Sequence, residues 1–161
     1  MKKFNKRTYQ NITQFLSDIK FLFKNRKTIK QINNGELINK SFQERLMLAV
    51  TGVNNCRYCT YYHSRLALEA GITSEELAKI LEGTVDNSPK EEQLALLYAQ
   101  HWADQKGNPD QDFKDELINN YGEKKAEIIE TAIKTINFGN LMGNTFDYFL
   151  YKITFGLLGN S

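Results

Sequence analysis

The chain has 161 residues, 41% hydrophobic and 25% charged, with a net charge of +2. That length buries a real core in a single domain, 1–161, and that balance is ordinary for a globular protein. Ten glycines and two prolines are too few for a turn-rich β fold, and no stretch approaches the length of a membrane-spanning helix. Charge is unevenly spread: residues 1–40 hold ten Lys/Arg against two acids, and the rest is acidic. This basic arm is expected to dock on an acidic body, its own or a neighbouring subunit's, because it carries no nucleic-acid motif.

Helical signals follow one another along the chain. Residues 11–24 carry Ile12, Phe15, Leu16, Ile19, Leu22 and Phe23 at helical spacing, a stripe expected in a core or an interface. Ser41-Phe-Gln-Glu44 reads as a capping box opening a second helix, with Gly52 near its end. Asn54 or Asn55 is expected to cap a third helix, through the cysteines to Gly71. Thr73-Ser-Glu-Glu76 opens a short fourth. Ser88-Pro-Lys-Glu91 opens a helix to about Lys106, with Pro89 at its first position. Asn108-Pro109 starts another that ends at Tyr121-Gly122, and a last helix covers about Glu123 to Tyr151. No segment alternates with period two, so the expected fold is an all-α bundle of about six to eight helices, with a basic helical arm (1–40) and a core (41–151).

The chemistry concentrates in C-R-Y-C-T-Y-Y-H. Cys56 and Cys59 are the only cysteines and His63 is one of two histidines. An antiparallel hairpin of helices 41–51 and 56–71, folded about Val53–Asn54, places Glu44 level with His63 and Cys59 one turn nearer the loop. Cys56 falls in the first turn of its helix, where unpaired N–H groups and the helix dipole favour a thiolate. A thiolate that attacks an O–O bond needs a proton delivered to the departing oxygen, and a second thiol converts the resulting sulfenic acid to a disulfide. Cys56, Cys59, His63 and Glu44 supply those functions. Two other readings stay open: a zinc site using Cys56, Cys59, His63 and either His101 or Glu44, and a non-enzymatic helical module whose thiols sense oxidants. Glu44 also has a purely structural reading as the third residue of the Ser41 capping box.

The segment E-R-L-M-L-A-V-T-G-V-N-N-C-R-Y-C-T-Y-Y-H-S-R-L-A-L-E-A-G-I-T-S-E-E-L resembles the core of the carboxymuconolactone decarboxylase/alkylhydroperoxidase D-like superfamily. The likeness rests on a glutamate twelve positions before C-x-x-C-x-x-x-H and the glycine-led continuation, and it covers Ser41–Gly83. It extends more weakly through Glu91–Ala103 to Asn137–Asn144. In the peroxidase branch, the resemblance implies that Cys59 is the peroxidatic cysteine, Cys56 resolves it, and Glu44 and His63 relay protons, with no bound cofactor. It also implies a helical trimer or hexamer that reduces hydroperoxides with electrons from an external dithiol, lipoylated or thioredoxin-like. Tyr58 stands where the best-known peroxidase of the family has a second histidine. The decarboxylase branch generally lacks the cysteine pair, so lactone decarboxylation is not expected.

Two further expectations concern place and packing. Two cysteines make no disulfide framework and no apolar signal-peptide core follows the N-terminal lysines, so the expected compartment is the cytoplasm. Gly139 and Gly143, with Asn140 and Asn144, give the last helix a small-polar stripe expected to serve close helix packing. Tyr58, Tyr61 and Tyr62 are expected at a pocket or a subunit contact.

Overall fold

A computed structural model describes residues 3–159, and among them every regular element is α-helical. Eight helices follow in order: α1 (Ile12–Lys24), α2 (Arg26–Asn33), α3 (Lys40–Asn54), α4 (Arg57–Glu69), α5 (Ser74–Leu81), α6 (Lys90–Asp104), α7 (Gln111–Tyr121) and α8 (Glu123–Ile153). The all-α expectation holds.

α3 is the centre. Ten consecutive residues from Phe42 to Thr51 are buried, so this helix is enclosed on every side rather than on one stripe. α4, α5, α6 and α8 pack around it, and α7 closes on α6 and α8. Leu46, Leu48, Val50, Leu96, Ile129 and Ile133 are among the side chains that fill the space between them. Arg45 projects from α3 into this core and is held by two carboxylates. Its Nε meets Glu76 of α5 at 2.6 Å, and its Nη1 meets Glu92 of α6 at 3.1 Å. Burial by itself lowers the Arg45 pKa; the hydrogen bonds and charges of Glu76 and Glu92 outweigh it and raise the value.

Several helix boundaries differ from the sequence expectations. Asn39, not Ser41, caps α3, accepting from the Phe42 N–H at 2.7 Å. Glu44 is therefore released from the capping role. α3 runs through Asn54, and Asn55 ends it in the left-handed conformation (φ 53°), which asparagine tolerates better than most residues. Neither asparagine caps the next helix; Cys56 does. Pro89 is the cap of α6 rather than its first residue, and Asp110 precedes α7. Thr73 caps α5 as expected, accepting from the Glu76 N–H at 3.1 Å. The 26–33 stretch forms α2, a helix its sparse apolar pattern does not announce.

The stripe of α1 is not core. None of its residues is buried, and Ile12, Leu16 and Phe23 are exposed. Phe15 alone of the stripe's aromatics stacks on α8, against Phe138 (ring centroids 6.2 Å apart). The chain before α1 is held more firmly. Lys6 is buried with its Nζ 2.8 Å from Asp147 of α8, and Arg7 reaches Asn54 Oδ1 at 3.0 Å and the Ala103 carbonyl.

Candidate redox site

The site forms where α3 hands the chain to α4. Only Asn55 and Cys56 separate the two helices, so α4 folds straight back along α3. Cys56 is the N-cap of α4, and its sulfur takes the place of a capping oxygen, receiving the Cys59 N–H at 3.4 Å. Cys56 and Cys59 are joined as a disulfide, with Cα atoms 5.3 Å apart. The two sulfurs differ in access. Cys56 is fully buried, while Cys59 is partly exposed at the edge of the core.

One turn further, the hairpin brings His63 to Glu44: Nδ1 and Oε2 stand 2.7 Å apart. An ionised carboxylate only accepts, so this contact assigns the ring proton to Nδ1 and turns Nε2 away from Glu44. Both side chains are mostly enclosed, 14% and 4% exposed respectively. Tyr62 packs edge-on against the imidazole at 5.1 Å between centroids. A cavity of about 500 Å³ lies alongside, lined by Glu44, His63, Tyr62 and the apolar Met47, Leu66 and Ile136.

α8 supplies the floor. A Cβ built on Gly143 would stand 2.9 Å from the Cys56 sulfur and 3.4 Å from the Tyr58 ring. Gly143 thus serves the close packing expected of it, but against the cysteine of the same chain. Gly139 does not pack closely: a Cβ there meets nothing within 4 Å, and the residue lines the cavity instead. Asn140 and Asn144 are fully buried and tie α8 to the end of α3. Asn54 Nδ2 donates to Asn137 and Asn140 at 3.0 and 3.1 Å, and Asn144 Nδ2 donates to the Asn54 carbonyl at 2.7 Å. These bonds hold the peptide preceding the cysteine pair.

The two residues between the cysteines are held by Asp147, which is fully buried on α8. Arg57 Nη2 reaches its Oδ1 at 2.7 Å, the Tyr58 hydroxyl donates to the same oxygen at 2.9 Å, and Lys6 takes Oδ2 at 2.8 Å. Burial alone would push the carboxyl up; the bonds from Lys6, Tyr58 and Arg57 outweigh it and hold it below the usual range. The spacing of the cysteine motif gives no hint of Asp147. Its one sequence signal is that it is the only acid after Glu130, set in an aromatic run. A lone carboxylate in such a run needs a buried cation.

The remaining expectations separate cleanly. His101 lies at the α6–α7 junction, where its Nε2 accepts from the Asp110 N–H at 3.2 Å and its ring packs on Phe113. It takes no part in this site. Tyr61 is 77% exposed and Tyr62 faces the cavity. Among the described residues no three His, Cys, Asp or Glu side chains are grouped to hold a metal ion. No helix of the described residues is long and apolar enough to cross a membrane.

The carboxymuconolactone decarboxylase family model matches residues 25–100, from α2 through most of α6, and supports the wider superfamily for this chain. That span contains Glu44, both cysteines and His63. No curated protein and no solved structure matches the chain.

Proposed function

We propose that this protein is a thiol-dependent peroxidase, reducing hydroperoxides through the Cys56–Cys59 pair. The observation that carries the reading is the 2.7 Å His63–Glu44 contact one helical turn from Cys59, beside a cavity of about 500 Å³. In the reduced protein, the Cys59 thiolate attacks the terminal oxygen of ROOH. The O–O bond breaks, Cys59 becomes a sulfenic acid, and the alkoxide takes a proton from His63 to leave as ROH. Glu44 orients the imidazole and stabilises its protonated form. Cys56 then attacks the Cys59 sulfur, the hydroxyl departs as water, and the disulfide forms. An external dithiol, lipoylated or thioredoxin-like, returns two electrons and two protons by exchange through a mixed disulfide.

The difference in burial supports this order of events. The partly exposed Cys59 meets the peroxide, and the buried Cys56 serves as an internal partner that solvent oxidants do not reach first. The mixed lining, apolar Met47, Leu66 and Ile136 with polar Lys40, Gln43 and Thr135, has room for an organic hydroperoxide with its polar end at His63. A homo-oligomer, trimer or hexamer, fits the exposed Phe146, Phe149 and Ile153 of α8, which a monomer would leave in water. The cytoplasm, where thiols are kept reduced, is the setting in which such a cycle turns over.

The test is a free-thiol count and peptide map of reduced protein after one equivalent of hydrogen peroxide or cumene hydroperoxide. Rapid loss of both thiols to a Cys56–Cys59 disulfide is expected. Two thiols that persist through the reaction rule the peroxidase out.

A further inference from the structure

Lys6 and Arg7 of the basic arm reach the redox loop from two directions. Arg7 bonds Asn54, two residues before Cys56, at 3.0 Å. Lys6 bonds Asp147, which holds Arg57 and Tyr58, the only residues between the cysteines. The carboxylate has both oxygens engaged: Oδ2 by Lys6, and Oδ1 by the Arg57 Nε (3.1 Å), the Arg57 Nη2 and the Tyr58 hydroxyl. Lys6 and Asp147 are almost wholly enclosed, with side chains 2% and 0% exposed, so water screens their charges little. Arg57 is 37% exposed and adjoins Cys56 at the positive end of α4.

We infer that Lys6 and Asp147 are positioning residues that set the redox poise of the Cys56–Cys59 pair through Arg57. Asp147 draws the guanidinium onto itself and offsets its charge, so that Arg57 stabilises a neighbouring thiolate less than an uncompensated arginine would. Lys6 in turn offsets Asp147 and determines how much of the carboxylate's charge is left for Arg57. The N-terminal segment is thereby part of the redox site, far in sequence but joined to it through one buried carboxylate. The inference rests on the cysteines being a redox pair, not on hydroperoxide being the oxidant.

The signs follow from which protonation state each charge favours. Replacing Asp147 by Asn leaves Arg57 and Lys6 without this anion, which stabilises thiolate and hence the reduced form, and makes the pair more oxidising. Replacing Lys6 by Met leaves the carboxylate with one cation fewer, which disfavours thiolate and makes the pair more reducing. A role confined to rigidity predicts no such opposition, because both changes loosen the same contact.

The experiment equilibrates full-length Lys6→Met, Lys6→Arg, Asp147→Asn and unaltered protein with glutathione redox buffers at pH 8.5, where an ordinary thiol is about half ionised. In each, the Cys56–Cys59 disulfide takes two electrons and two protons from two glutathiones, which leave as glutathione disulfide. The expected result is a shift of about threefold or more in the equilibrium constant, towards the dithiol for Asp147→Asn and towards the disulfide for Lys6→Met. Lys6→Arg stays with the unaltered protein. Shifts in the same direction, or none, overturn the inference. Should Asp147→Asn fail to fold, Lys6→Met against Lys6→Arg decides: equal constants overturn it, and a shift in Lys6→Met alone upholds it. Peroxide is absent throughout, so a protein that ignores hydroperoxides but shows the opposed shifts loses the peroxidase reading and keeps this one.

Discussion

Gly143 of α8 lies directly beneath Cys56, so close that a Cβ on it would come within 2.9 Å of the cysteine sulfur. Real Cβ atoms do not approach this nearly, and the sulfur is tied to Cys59 and to the start of α4. Gly143→Ala is therefore expected to overpack the disulfide form, at a cost of about 1–3 kcal/mol. Urea unfolding of oxidised protein checks this; an unchanged midpoint would mean that α8 can withdraw from the cysteine loop. Gly139→Ala, whose added methyl meets open space, is the control.

The cysteine assignments separate by trapping. Cys56→Ser is expected to halt the cycle at a Cys59 sulfenic acid, seen as a dimedone adduct by mass spectrometry. Cys59→Ser is expected to consume no peroxide beyond the background. A dimedone adduct on Cys56 in that second variant would reverse the two roles.

His63→Gln and Glu44→Gln test the proton relay. Loss of a general acid typically costs about 10²–10⁴-fold, and the first variant should lose that much in the rate of oxidation by hydroperoxide. Glu44→Gln keeps an acceptor for His63 Nδ1 but no charge, so a smaller loss is expected. Stopped-flow oxidation of the reduced protein reads both, with iodoacetamide alkylation as a measure of thiol reactivity alone. Equal slowing of oxidation and alkylation would place the effect on the thiolate and not on the leaving oxygen.

Arg45 is a stability residue. Arg45→Met would leave Glu76 and Glu92 buried without their shared cation. Removing one partner of such a group costs about 3–5 kcal/mol. Burial already holds Glu92 above the usual carboxyl range despite Arg45. Without the arginine the Glu92 carboxyl is pushed further towards its neutral form, so the Arg45→Met protein is expected to be least unstable in acid. Thermal unfolding at pH 5 and pH 7.5 checks the sign.

Asp147 should act in the opposite sense on acidification. Its carboxyl titrates lower in the folded chain than in the unfolded one. It therefore contributes stability that is complete above the ordinary carboxyl pKa, about 3.9, and is lost as the pH falls through its folded value. The difference in urea midpoint between unaltered protein and Asp147→Asn is expected to be full at pH 6 and to shrink below pH 4. A difference that does not change over that range would show that the carboxylate charge contributes nothing to holding the arm.

The pattern of residues alone determined the helical fold and the outline of the site. Apolar spacing and capping residues marked most of the helices, because these are local preferences that each segment carries within itself. Placing Glu44 beside His63 needed only helical geometry and a short loop, and the chain closes that hairpin with a 2.7 Å contact. Capping detail was less legible: Asn39 and Cys56 took positions for which Ser41 and Asn54 or Asn55 were equally acceptable by residue type. What only the tertiary structure decided are the contacts across long separations. Asp147 meets Lys6 and Arg57, Gly143 meets Cys56, and Asn54 gathers Asn137 and Asn140. Each depends on how α8 crosses the α3–α4 joint. That crossing is set by the packing of whole helix faces, a collective quantity that no spacing within one segment encodes.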